Sequence, residues 1–177
     1  ASFGKTKAAL VTFVALKPYD PSQELFFVSD ASKLHGLGWL LFQYGPAGEL
    51  CVLECGSAAL NDSQRNYSAT EIESLAIAYG IYKTRFYTRG TVVNCYTDHI
   101  ALVSLWQKDI RDCPSRIQRI RRRLAEFNLK IIYLKGSRNI LADALSRNTV
   151  FKFGDFPDDK DDIADDNAWF AINAVHC

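Results

Sequence analysis

Apolar positions along the chain switch between two periods, and each switch marks an element. In residues 3–16, Ala9, Leu10, Phe13, Val14 and Leu16 fall at spacings that predict a short helix. Lys17-Pro18-Tyr19-Asp20-Pro21 ends it, because proline has no N–H to donate and restrains the residue before it. Three apolar runs follow, at residues 24–30, 38–44 and 50–56, separated by turns bearing glycine or serine, so they read as strands. Gly45-Pro46-Ala47-Gly48 reads as the hairpin loop between the second and third.

The period changes at Ser68. Ile72, Leu75, Ala76, Tyr79, Tyr82 and Phe86 recur at helical spacing over residues 68–88, predicting one amphipathic helix closed by Gly90. A fourth strand at 92–98 and a short helix at 100–107 come next. Pro114 opens another helix, with Ile117, Ile120, Leu124 and Phe127 on one face. A fifth strand at 130–135 and a last helix at 138–147 complete the pattern. Consecutive strands followed by alternating helices and strands predict an α/β fold, a mixed sheet flanked by helices and joined by right-handed crossovers.

Composition narrows the class. The 177 residues are 48% hydrophobic and 23% charged, enough apolar material for one domain with a real core and too much for a disordered chain. No run of 18 apolar residues exists, so a membrane span is excluded. The opening Ala1-Ser2-Phe3-Gly4-Lys5 lacks a signal-peptide pattern. Five cysteines without a C-x-x-C pair suit a reduced, intracellular chain rather than a disulfide framework or a zinc site. The net charge of +1 conceals an asymmetry: residues 1–153 hold 20 Lys and Arg against 13 Asp and Glu, whereas residues 154–177 hold 1 against 7. A body at +7 followed by a tail at −6 is an arrangement common among proteins that touch nucleic acid.

Four carboxylates stand out by position. Asp30 ends the first strand, Glu71 lies in the first turn of the long helix, Asp98 ends the fourth strand, and Asp143 lies in the last helix. Strand ends in an open sheet line the crevice where ligands bind. A carboxylate cluster without His or Cys suits hard divalent cations, Mg²⁺ or Mn²⁺, because only cations neutralise so much like charge. Each residue also has a plain structural use. Asp30 can open a turn, Asp98 can cap the next helix, Asp143 can be a surface residue, and Glu71 can form a capping box with Ser68. Thr70 and Glu73 offer a second box, which would release Glu71 for another task.

The local contexts decide among these uses. Asp30-Ala31-Ser32-x3-Gly36-x-Gly38, Gln64-Arg65-Asn66-Tyr67-Ser68-x2-Glu71-x-Glu73-x-Leu75-Ala76, Tyr96-Thr97-Asp98-His99-x2-Leu102 and Gly136-x2-Asn139-x2-Ala142-Asp143-Ala144-Leu145-Ser146-Arg147 occur in that order. Together they resemble the ribonuclease H domain of reverse transcriptases from gypsy-type LTR retrotransposons. The resemblance implies a ribonuclease H-like fold with a five-stranded mixed sheet of order 3-2-1-4-5. It implies hydrolysis of the RNA strand of RNA/DNA hybrids with two Mg²⁺ ions, for which Mn²⁺ can substitute. It carries Asp30, Glu71, Asp98 and Asp143 over as catalytic, metal-binding carboxylates. Glu73 ranks second to Glu71, because the helix register that puts Leu75 and Ala78 on the core side favours Glu71.

The same resemblance divides the chain into a segment leading from the polymerase connection (1–23), the ribonuclease H domain (24–150) and an acidic linker or tail (151–177). Its partners would be hybrid and the reverse transcriptase and integrase domains of one polyprotein, in the cytoplasm (in virus-like particles) or the nucleus. One departure is the loop 135–141, which lacks the histidine that cellular ribonucleases H carry before the last aspartate; His99 is the nearest substitute, though local packing or hydrogen bonding is the plainer use for it. Arg119, Arg122 and Arg123 lie off the buried stripe of their helix and suit a phosphate-tracking, nucleic-acid-binding surface. Two other readings stand beside this one. The first is a domesticated copy that keeps the fold as a binding module, against which stands the presence of all four carboxylates. The second is an integrase core, against which stands the Asp-Ala-Leu-Ser-Arg block.

Overall fold

The computed structural model describes residues 18–135. The expected helices at 3–16 and 138–147, Asp143 within the second, and the acidic tail lie outside the described residues. Five strands run as β1 (Leu25–Ser32), β2 (Gly36–Tyr44), β3 (Leu50–Ala58), β4 (Val92–Thr97) and β5 (Asn128–Tyr133). Four helices join them: α1 (Ala69–Lys83), the single turn α2 (Arg85–Thr88), α3 (Ile100–Gln107) and α4 (Ser115–Arg123).

The sheet order is β3-β2-β1-β4-β5, as expected. β1, β2 and β3 form an antiparallel meander, whereas β4 lies parallel to β1 and β5 parallel to β4. The parallel pair places the site. Leu25 faces Val93 and Val28 faces Tyr96, and the same offset carried two residues further sets Asp98 beside Asp30. The two aspartates therefore meet where the central strands end, at the point where the connections diverge to opposite sides. Gly36 opens β2 at φ 130°, a left-handed conformation that a side chain would strain.

α1 is the central helix, packed on β1 and β2 and touching α3 and α4. Every residue from Ile72 to Tyr82 is buried, so it has no polar face over that span. Burial on all sides, rather than one apolar stripe, marks a helix enclosed by the fold. Gly80 makes the close approach possible, since a Cβ there would collide with the rings of Phe27 and Trp39. Trp39 also meets Tyr79 edge to face at 5.2 Å.

The long helix ends earlier than its periodicity predicts. Thr84 bonds its hydroxyl back to the Gly80 carbonyl at 2.9 Å and takes φ −92°, ψ 15°, which bends the chain. Phe86 thereby leaves the apolar stripe and stands 87% exposed on α2. By contrast, Ile117, Ile120, Leu124 and Phe127 are all buried, as expected for α4 and the turn after it. Cys51, Cys95 and Cys113 are buried free thiols and Cys55 an exposed one.

Candidate active site

Three carboxylates, Asp30, Glu73 and Asp98, converge, each offering one oxygen, and these three oxygens lie within 4.8 Å of one another. Asp30 sits on the last part of β1 and Asp98 directly follows β4. Glu73 enters from above, on the second turn of α1, and is only 8% exposed. Its position follows from helix geometry: Ile77 and Gly80 lie four and seven residues on, and Gly80 rests against Phe27 of β1.

The structure brings Glu73, not the expected Glu71, together with Asp30 and Asp98. The first turn of α1 gives Glu71 a complete structural assignment. The Ser68 N–H donates to Glu71 Oε2 at 2.8 Å, and the Glu71 N–H donates to Ser68 Oγ at 3.3 Å, which makes the capping box. The other oxygen, Oε1, accepts from Arg116 Nη1 of α4 at 2.8 Å. Burial raises the Glu71 carboxyl pKa, but the Ser68 and Arg116 bonds outweigh it and hold it below the ordinary value. The second box, capped by Thr70, does not form. Thr70 Oγ1 instead pairs with His99 Nε2 at 2.7 Å, so the hydrogen bond expected of His99 reaches across to α1. His99 also anchors its own N–H on Thr97 Oγ1 at 3.2 Å.

The surroundings of Glu73 disfavour its charged form. Burial, then the charges of Asp30 and Asp98, push its carboxyl pKa up to about 9, against a weaker opposing bond from the Ala31 backbone. Its buried Oε2 has no hydrogen-bond partner among the described residues. Three clustered carboxylates, one with an unsatisfied buried oxygen, form an all-oxygen donor set of the kind that hard divalent cations take.

The arginines of α4 divide by task. Arg116 belongs to the Glu71 contact and lies 3.8 Å over the Tyr67 ring. Arg121 donates to the carbonyls of Leu105 and Lys108 and to Cys113 Sγ, so it ties the α3–α4 loop. Of the three expected to face nucleic acid, Arg122 is exposed and donates to Gln118 at 3.3 Å, whereas Arg119 and Arg123 are half-buried.

A carboxylate cleft at the ends of β1 and β4, in a sheet of order 3-2-1-4-5, defines a ribonuclease H-like protein. A sequence family described as "RNase H-like domain found in reverse transcriptase" matches residues 20–127. The chain is 36% identical over 146 residues to the "Retrovirus-related Pol polyprotein from transposon 297" of Drosophila melanogaster; the match covers 82% of this chain and only 13% of that polyprotein. Among solved structures, the protease-reverse transcriptase of Prototype Foamy Virus superposes with a TM-score of 0.54 at 21% identity, over 73% of this chain and 21% of that one. LC11-RNase H1 in complex with RNA/DNA hybrid superposes with a TM-score of 0.52 at 15% identity, over 69% of this chain and 93% of that one. The chain belongs to the family of RNase H-like domains found in reverse transcriptases, with relatives in transposon Pol polyproteins.

Proposed function

We propose that this domain hydrolyses the RNA strand of RNA/DNA hybrids with divalent metal ions held by Asp30, Glu73 and Asp98. Asp143, carried over from its motif, is the fourth ligand in this reading. The observation that carries it is the convergence of three carboxylates on one cleft, Glu73 among them with a buried oxygen that lacks a partner among the described residues. Divalent cations held there would supply positive charge to the attacking water and to the leaving oxygen of a phosphodiester. Mg²⁺ is the natural ion for all-oxygen ligands, and Mn²⁺ fits the same set.

The residues divide the work. Asp30 and Asp98 offer carboxylates from adjacent strand ends, fixed by the sheet. Glu73 would bind a cation in its ionised form, and so would release the proton that burial and its acidic neighbours favour on it. The Thr70–His99 hydrogen bond ties the start of α1 to the loop that carries Asp98. Arg122, with Arg119 and Arg123 beside it, gives a basic surface for phosphates that reads no sequence. Selection of RNA would rest on its 2′-hydroxyl groups.

The test incubates the purified chain with an end-labelled RNA/DNA hybrid, with and without Mg²⁺, beside RNA/RNA and DNA/DNA duplexes. Cleavage confined to the RNA strand of the hybrid and dependent on the metal is the expected result. Metal-independent cleavage, or equal cleavage of all duplexes, would contradict it.

A further inference from the structure

We propose that Glu71 and Arg116 form a positioning pair that holds the start of α1, and through it the Glu73 carboxylate, in the metal cleft. The inference rests on the metal-binding reading of Asp30, Glu73 and Asp98. It starts from a mechanical problem. Glu73 meets Asp30 and Asp98 from a helix that begins only five residues before it, at the Ser68 cap. A helix end is held only by its cap and tertiary contacts, so these contacts set where the Glu73 carboxylate lies.

Those contacts converge on Arg116. Its guanidinium lies 3.8 Å over the ring of Tyr67 and donates to Glu71 at 2.8 Å, so one side chain of α4 grips both residues flanking the Ser68–Thr70 turn. Glu71 is 17% exposed and Arg116 32%, so the pair is partly withdrawn from solvent. The segment before the cap is braced as well. Asn61 and Gln64 bond each other reciprocally, each backbone N–H to the other's side-chain oxygen, at 3.0 and 2.7 Å. Tyr67 N–H closes the short helical turn on the Gln64 carbonyl at 3.0 Å. The Gln64-Arg65-Asn66-Tyr67-Ser68 block is thus a rigid abutment for α1, and Arg116 is the clamp across it. Contacts that orient a ligand without touching the metal commonly set its affinity.

Charge alone and positioning predict opposite results for one variant. Arg116→Ala removes a positive charge near the cleft, which by charge alone strengthens cation binding. Positioning predicts weaker binding. The experiment titrates Mn²⁺ into the full 177-residue chain and follows binding by electron paramagnetic resonance, with circular dichroism as the check on folding. Arg116→Ala and Glu71→Ala should each bind Mn²⁺ about tenfold more weakly than the wild type. Arg116→Lys, which keeps the charge but loses the flat stacking group, should fall between. Affinity of Arg116→Ala equal to or above that of the wild type overturns the proposal. Should Arg116→Ala fail to fold, Arg116→Lys decides, and wild-type affinity in that variant overturns it. A wild-type chain that binds no Mn²⁺ overturns the metal-binding reading itself, a result distinct from the others.

Discussion

Glu71 and Glu73 stand two residues apart on α1 and meet opposite electrostatic surroundings. Glu71 accepts from Ser68 and Arg116 and is held below the ordinary carboxylate pKa, while Glu73 faces Asp30 and Asp98 and is pushed up to about 9. Two residues thus separate a carboxylate bonded into the helix cap from one set among like charges.

The metal-free protein should lose stability as pH rises. The Glu73 pKa is near 9 folded and near 4.5 for the ordinary group, so between these values the folded state binds the extra proton. Stability is then greatest below about pH 4.5 as far as this group is concerned, and falls as pH climbs toward 9. The slope is at most about 1.4 kcal/mol per pH unit. Denaturant unfolding of chelator-treated protein at pH 6, 7 and 8 checks this. Glu73→Gln should flatten the slope and stabilise the metal-free protein at pH 8; an unchanged slope in that variant would place the titrating group elsewhere.

Asp98→Asn should abolish cleavage while the protein stays folded and still binds hybrid. Removing one charge from the cluster also lowers the cost of holding Asp30 and Glu73 together, so the metal-free variant should melt no lower than the wild type. Cleavage and melting measured on one preparation separate loss of chemistry from loss of fold.

Gly80→Ala tests the fit of α1 on the sheet. The new methyl would meet Phe27 and Trp39, both buried in the main core. Overpacking of this kind costs about 1–3 kcal/mol, more than the gain in helix propensity returns. A melting temperature at or above that of the wild type would show that α1 can shift outward without loss.

The acidic segment offers a test in salt. A chain ending at Phe153 removes 1 basic and 7 acidic residues, leaving the body at +7. It should bind hybrid more tightly at low ionic strength, and the gain should vanish at high salt, where screening is complete within a few ångströms. Equal affinity at low salt would show that the segment does not compete for the arginine surface.

Much of this was legible in the sequence, for reasons that differ by element. Asp30 and Asp98 are readable because strand ends are readable, and parallel pairing of β1 with β4 brings them together. Glu73 is not legible from an apolar stripe, which implies a helix with a polar side. α1 is buried all round from Ile72 to Tyr82, so a charged residue on it need not face solvent. The available signal was the Ser68-x-x-Glu71 box, which already gave Glu71 a full assignment and left Glu73, in line with Ile77 and Gly80, to point at the sheet. Phe86 was misplaced for a local reason, the back-bonded Thr84 that ends the helix. Arg116 and Arg121 read as surface charge, yet their long side chains reach partners on other elements that spacing cannot show.

The most direct measurement compares Glu73→Gln with Glu71→Gln in single-turnover cleavage of an RNA/DNA hybrid at saturating Mg²⁺. Gln at position 71 can still serve the capping box, and excess metal offsets a loosened site. Glu71→Gln should therefore cleave within about tenfold of the wild type. Glu73→Gln, folded and able to bind hybrid, should show no cleavage. An active Glu73→Gln beside an inactive Glu71→Gln would contradict the account.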